Sequence, residues 1–171
     1  GLQRFKVLHV NVSFINNTSV YNGIRLDNVD YTALDCFFKD NNSGFKGPIW
    51  AIMRGSKALI SNCLVDGSYS KLGAFIDIDE RSSATLIRIV ANNIVGMNSI
   101  IRVNGLSFIN IQDAVFFNCE VMDNDGAVFY FSNGFGTTES ILNDLKIVSC
   151  RGTLLFSTDV NYKIVNMTVS Q

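Results

Sequence analysis

The sequence predicts an all-β fold, a solenoid of parallel strands with about six coils of ~25 residues each. One observation is a ragged repeat: an apolar-alternating strand, an Asn or Gly, a small residue, then a second apolar strand. Composition is another. The 171 residues include 13 Phe, 13 Gly and a single Pro, with 47% hydrophobic and 17% charged residues. Phe, Ile and Val suit strands, while Asn and Gly suit tight corners. The third is uneven spacing. Matched positions lie about two dozen to thirty residues apart, as in a stack that keeps its strands and varies its corner loops.

The copies follow in order. The first reads Val10-x-Val12-x-Phe14-x-x-Asn17, then Gly23-Ile24-Arg25-Leu26. The second reads Leu34-x-Cys36-x-Phe38-x-x-Asn41, then Gly47-Pro48-Ile49-Trp50. The third reads Ile60-x-Asn62-x-Leu64-x-x-Gly67, then Gly73-Ala74-Phe75-Ile76. In these three the corner Asn or Gly stands six positions before the next Gly. The fourth is Leu86-x-Arg88-x-Val90-x-x-Asn93, with Ser99 in the place of Gly before Ile100-Ile101-Arg102-Val103. Arg88 at a nominally inward place marks a register that a one-residue slip would reverse. The fifth is Asp113-x-Val115-x-Phe117-x-x-Glu120, then Gly126-Ala127-Val128. The sixth runs from Leu145-x-Ile147 through a short corner at Cys150-Arg151-Gly152 to Leu154-Leu155-Phe156, and a seventh begins at Ile164.

One coil cannot bury its own apolar face, whereas coils stacked at ~4.8 Å can. The expected inward stack is Phe14, Phe38, Leu64, Val90, Phe117 and Ile147. A second is Ile24, Ile49, Phe75, Ile101, Val128 and Leu154. Asn17, Asn41 and Asn93 are expected at a corner, because Asn tolerates the left-handed conformation. The segment Asn133–Ser140 is expected as an outward loop.

The net charge is −1 and there is no basic stripe, so the footprint of a nucleic-acid binder is missing. No run of ~20 apolar residues is present to make a membrane-spanning helix. Residues 1–171 read as a single solenoid segment, expected to belong to a longer one.

The run Cys36-Phe37-Phe38-Lys39-Asp40-Asn41 with Gly47-Pro48-Ile49, and Asn118-Cys119-Glu120 with Gly126-Ala127-Val128, carry a resemblance. They resemble the right-handed parallel β-helix (pectin-lyase-like) repeat proteins, in particular polymorphic outer-membrane adhesin-type repeats. That resemblance implies an elongated extracellular or cell-surface protein that adheres, coats or binds glycans. The same fold also hosts polysaccharide lyases and hydrolases, so fold alone does not choose.

Among chemistry-bearing residues, Asp77 and Asp79 alternate and so project to one side of a strand, with Glu80 at the corner. They read as a solvated strand face, a Ca²⁺ site or a glycosidase-like pair. Asp123 and Asp125 form a second cluster, read as a turn. A concave face bringing Asp77, Asp79 or Asp113 to Arg88 or Arg102 would favour saccharide chemistry. His9 is the only histidine and has no acid nearby in sequence, which makes it structural. No Cys-x-x-Cys occurs, so no metal site built on His and Cys spacing is expected, and no residue is assigned a catalytic, metal or cofactor role.

Cys36 with Cys63, and Cys119 with Cys150, fall in neighbouring coils and read as cross-coil disulfides or buried thiols. The repeat registers place the members of each pair at non-identical positions, which favours thiols. Glycosylation acceptor patterns occur at Asn11, Asn16, Asn17, Asn41 and Asn166. Asn16 and Asn166 are the preferred acceptors, while Asn17 and Asn41 double as corner residues. Tyr21, Phe45, Trp50, Tyr69, Tyr130 and Phe135 are candidates for stacking on sugars or for packing under loops.

The functional expectation is therefore a non-catalytic structural or adhesive scaffold, a segment of a surface rod or filament. Its partners would be copies of itself, flanking repeats or glycans. A polysaccharide-binding or polysaccharide-cleaving β-helix is one alternative; a phage or viral fibre segment is the other.

Overall fold

The computed structural model describes residues 4–19, 23–43, 49–71, 73–132 and 138–171. Its strands pair in parallel throughout, in one sheet of twelve and one of six, as a solenoid of about 6 turns with ~26-residue spacing. Residues 133–137 of the expected loop, Phe135 among them, lie outside the described residues, as do Gly47 and Pro48 of the second copy, Tyr21 and Phe45.

The larger sheet bends along a line, so each coil has three faces. Strand Ser83–Gly96 shows how. Leu86 points in, Ile87 and Arg88 both point away from the core, and Ile89 and Ala91 point in again. Arg88 has φ 52°, and its neighbours Ile87 and Ile89 pair with Gln112 and Ala114 on the next coil. A single left-handed residue turns the chain and resets the in–out alternation.

The same corner recurs in every coil. Registers stack Asn11, Asp35, Asn62, Arg88, Asp113, Asp144 and Asn166, all at positive φ. A second corner stacks Asn16, Asp40, Gly67, Asn93, Asn118 and Ser149. A third stacks Asn28, Arg54, Glu80 and Gly105, with Asp159. Asn and Asp tolerate this conformation because their short polar side chains hydrogen-bond locally. The backbone N–H groups at the first corner are donated up the stack, as from Asn11 to the Leu34 carbonyl at 3.1 Å and from Asp35 to that of Ser61 at 3.1 Å.

This corner corrects the expected inward stack. Phe14, Phe38 and Ile147 are members, but Leu64, Val90 and Phe117 face outward. The actual ladder is Phe14, Phe38, Val65, Ala91, Phe116 and Ile147. Alternation carried across the left-handed residue from the inward Ile60 and Leu86, or counted from the corner residue Asp113 itself, gives the wrong parity. In the second stack Ile24 and Ile101 share a true ladder with Trp50, Ile76, Phe129 and Leu155. Ile49, Phe75 and Val128 belong to the adjacent buried position, one residue earlier, as does the half-buried Leu154. Asn98, rather than Ser99, stands opposite Gly126, since Ser99 pairs with Ala127.

The core is aromatic along the axis. Phe14 stacks on Phe38 at 4.7 Å, and Phe38, Trp50, Phe75, Phe116 and Phe129 continue edge-to-face at 4.4–6.0 Å. Trp50 is fully buried rather than outward. Its indole N–H donates to Tyr31 Oη at 3.4 Å, which gives the buried polar edge a partner. Losing a buried ring of this size costs about 3–5 kcal/mol.

A polar ladder runs beside it at the second corner: Asn17, Asn41, Ser68, Ile94, Cys119 and Cys150. Asn17 Nδ2 donates to Asn41 Oδ1 at 2.9 Å, Asn41 Nδ2 to the Phe14 carbonyl at 2.9 Å, and Ser68 Oγ to the Asn41 carbonyl at 3.0 Å. Asn93 is not in this ladder. It sits at the left-handed corner one residue before Ile94 and donates to Asp66 Oδ1 at 2.9 Å.

Candidate functional site

The third face is made of strands Ile24–Asp27, Trp50–Met53, Ile76–Ile78, Ser99–Asn104, Ala127–Ser132 and Thr153–Ser157. Alternate residues of each strand line the core, so the residues between them form an outer column. Register fixes its members as Arg25, Ala51, Asp77, Arg102, Tyr130 and Phe156. Asp79, Asn104 and Ser132 form a shorter column beside it.

Asp77 and Asp79 do project to one side, and the next coil sets Arg102 against both. Arg102 Nε lies 3.3 Å from Asp77 Oδ1, and its terminal nitrogen lies 3.7 Å from Asp79 Oδ2. Asp77 is only 3% exposed. Arg102 Nε is close enough for an ion pair but poorly aimed, so Asp77 Oδ1 accepts no hydrogen bond. Burial accordingly pushes the Asp77 carboxyl up to about 6; Arg102 opposes the rise and Asp79 adds to it.

Asp79 is better solvated. Its oxygens accept from the Glu80 backbone N–H at 2.7 Å and from Asn104 Nδ2 at 3.3 Å. Ser132 Oγ then donates to Asn104 Oδ1 at 2.9 Å, which extends the network one coil further. Glu80 turns away to Arg54 at 3.6 Å. Arg102 supplies the positive charge between the two aspartates, so this cluster is an ion-pair clamp rather than a set of convergent cation ligands. Among the described residues no group of three metal-ligating side chains occurs.

Beside the clamp is an open cavity of about 380 Å³, lined by Arg102, Asn104, Tyr130, Ser132 and the turn residues Asp123 and Asp125. Ser99 also lines it; it is fully buried, and its hydroxyl has no hydrogen-bond partner. A neighbouring cavity of about 440 Å³ shares Tyr130, Asp125 and Gly126 and reaches Phe156. The Tyr130 and Phe156 rings are stacked at 4.7 Å, 10° from parallel, across two coils. The result is one groove with an aromatic platform at one end and amide, hydroxyl, carboxylate and guanidinium groups at the other. Gly126 is needed where the turn closes: a Cβ there would come within 2.5 Å of the Asn98 carbonyl oxygen.

The other sequence candidates lie elsewhere. Asp113 and Arg88 are exposed residues of the first corner, away from the groove. His9 packs its ring 5.4 Å from Phe14, and its Nδ1 is 3.0 Å from Tyr31 Oη. Tyr69 is half-buried in strand Leu64–Ser70, two residues past the second corner at Gly67. Asn11, Asn16 and Asn166 are exposed at left-handed corners. Asn17 is committed to the polar ladder, and Asn41 is 7% exposed within it.

The cysteines are free thiols. Each pair occupies identical positions in adjacent coils, contrary to the sequence register: Cys36 lies opposite Cys63, and Cys119 opposite Cys150. Each follows a left-handed residue, and its thiol donates to the carbonyl two residues back, as from Cys36 to Leu34 at 3.3 Å and from Cys63 to Ser61 at 3.3 Å.

Compared with protein-family models, with curated proteins and with solved structures, the chain matches none.

Proposed function

We propose that the chain is a non-catalytic solenoid scaffold that binds saccharide along its third face. The carrying observation is the groove in which the stacked Tyr130–Phe156 platform adjoins Arg102, Asn104, Asp123 and Asp125. A sugar ring offers an apolar face to an aromatic and a rim of hydroxyls to planar polar groups. Asp125 and Tyr130 line both cavities, so the groove has room for more than one ring. Binding is favoured over cleavage because the one carboxyl raised toward a general acid, Asp77, is buried under Arg102.

The finer assignment, to adhesin-type repeats of the pectin-lyase-like kind, goes with this reading, as does an extracellular or cell-surface location with Asn11, Asn16 and Asn166 as glycan acceptors. The test is calorimetric titration of a neutral, acidic and aminated oligosaccharide panel, with product analysis of each mixture. Saturable binding weakened about tenfold in Tyr130→Ala and in Phe156→Ala supports the reading. Binding unaffected by both substitutions, or no binding across the panel, overturns it. Cleavage products would overturn the non-catalytic half.

A second reading concerns assembly. The outermost strands, Phe5–Val10 and Tyr162–Ser170, leave apolar side chains in water: Phe5 is 80% exposed, Leu8 62% and Val169 56%. A further coil, from flanking chain or from a second copy, would cover them and pair their free edges. Light scattering across a concentration series tests the second copy. Strict monomers at high concentration would overturn the second copy, and a discrete trimer would favour the fibre alternative.

A further inference from the structure

We propose that the groove on the third face takes an aminated saccharide, whose ammonium groups are received by Asp123 and Asp125 beside the Tyr130 ring. The assignment rests on the saccharide reading of this groove and names the class of sugar. The site lies within the stack. Its strands Ser99–Asn104 and Ala127–Ser132 are paired on both edges, with Ile76–Ile78 on one side and Thr153–Ser157 on the other. The cavity is lined by the outward residues of those two strands and by the turn at 123–126, so its opening does not depend on the ends of the chain.

Charge decides the class. Arg102 is the one cation among the lining residues, and it is committed to Asp77 at 3.3 Å and to Asp79 at 3.7 Å. Two carboxylates therefore already answer the single guanidinium. Asp123 and Asp125 are both exposed, and among the described residues neither has a cation within ion-pair distance. Asp123 Oδ1 accepts the Asp125 backbone N–H at 3.4 Å, a long contact that leaves its charge open. The groove thus presents uncompensated negative charge, which repels a uronate and attracts an ammonium.

Two further groups point the same way. Tyr130 lines the cavity, and an aromatic face attracts a cation and not an anion. Ser99 lines it too, is fully buried and has no hydrogen-bond partner for its hydroxyl. A buried hydroxyl in that state can still accept a hydrogen bond, and a sugar amine is a donor. An ammonium carries three N–H donors, so one group can be shared between two carboxylates. Acetylation removes the charge and leaves a single N–H.

The experiment titrates the full chain calorimetrically with short oligomers of glucosamine, N-acetylglucosamine and galacturonic acid, at about pH 6.5, where most sugar amines are protonated. The glucosamine oligomer is expected to bind about tenfold tighter than its acetylated counterpart, with galacturonate weakest. Added salt should erase most of that preference. Asp123→Asn combined with Asp125→Asn should bring the glucosamine oligomer down to the acetylated one and leave the acetylated one unchanged. Both side chains are exposed, and Asn at 123 keeps an oxygen for the Asp125 N–H, so the unchanged acetylated oligomer also reports an intact fold. Equal affinity for the charged and acetylated forms, tighter binding of galacturonate, or a preference that survives the paired Asn variant overturns the proposal and leaves the saccharide reading standing. No binding by any of the three overturns that reading with it. Loss of binding in EDTA would put a divalent ion on the carboxylates and overturn direct contact with ammonium.

Discussion

The second and third faces carry outward columns on the same kind of backbone, with opposite chemistry. On the second face Phe37, Leu64, Val90 and Val115 make a plain apolar stripe, with Leu64 42% and Val90 43% exposed. On the third face the column passes from two charged residues, Asp77 and Arg102, to two aromatic rings, Tyr130 and Phe156, and the groove opens beside them. Both columns are held by inward ladders and left-handed corners that they do not themselves supply. In a solenoid the outward residue is therefore free of the fold's demands, and chemistry accumulates where it is needed rather than where packing dictates.

The largest expected difference between the faces is Arg102→Ala. It leaves Asp77 buried with its charge opposed only by distance, and should cost about 2–4 kcal/mol at pH 7.5. The loss should shrink at pH 5, where Asp77 takes up a proton. Urea denaturation at both values checks this, and an equal loss at each would mean that Arg102 acts only by packing.

Asp77→Asn comes next. A carboxyl raised to about 6 in the fold binds a proton there that it has released in the unfolded chain between pH ~4 and ~6. Stability should fall as pH rises through that window. The amide should flatten the profile and hold up to about 3 kcal/mol more stability at pH 7.5. A steeper profile in the variant would contradict the assigned burial.

Tyr130→Ala is smaller in stability but should weaken saccharide binding about tenfold, or ~1.4 kcal/mol. Leu64→Thr and Val90→Thr are the smallest: melting should stay within ~0.5 kcal/mol and binding should not change. Loss of binding in either threonine variant would place the ligand on the wrong face.

Much of this was legible in the sequence. The solenoid, its coil spacing and the shared side of Asp77 and Asp79 follow from repeat and alternation alone. The parity of Leu64, Val90 and Phe117 did not, because Asn62, Arg88 and Asp113 each reset it by one. Arg88 gave no hint of a left-handed backbone, since the conformation is imposed by stacking between Asn62 and Asp113. Within the groove, Arg102, Asp123, Asp125 and Tyr130 were named from sequence, whereas Asn104, Ser99 and Ser132 were missed. They are ordinary strand residues whose meaning depends on what lies one coil above and below. The step from Asp77 to Arg102 to Tyr130 to Phe156, each about one coil, was the signal that could have joined them.

The ladder at the second corner has a consequence for how the stack is ordered. Along the axis it passes from Asn17 and Asn41 through Ser68 and Ile94 to Cys119 and Cys150. The amides bond each other, the hydroxyl closes the amide run, and the aliphatic residue separates it from the thiols. A coil transplanted elsewhere would set an amide over an aliphatic neighbour and strand its donors. The turns are thus not interchangeable tiles: each carries an address, and shuffling them would be misread from within.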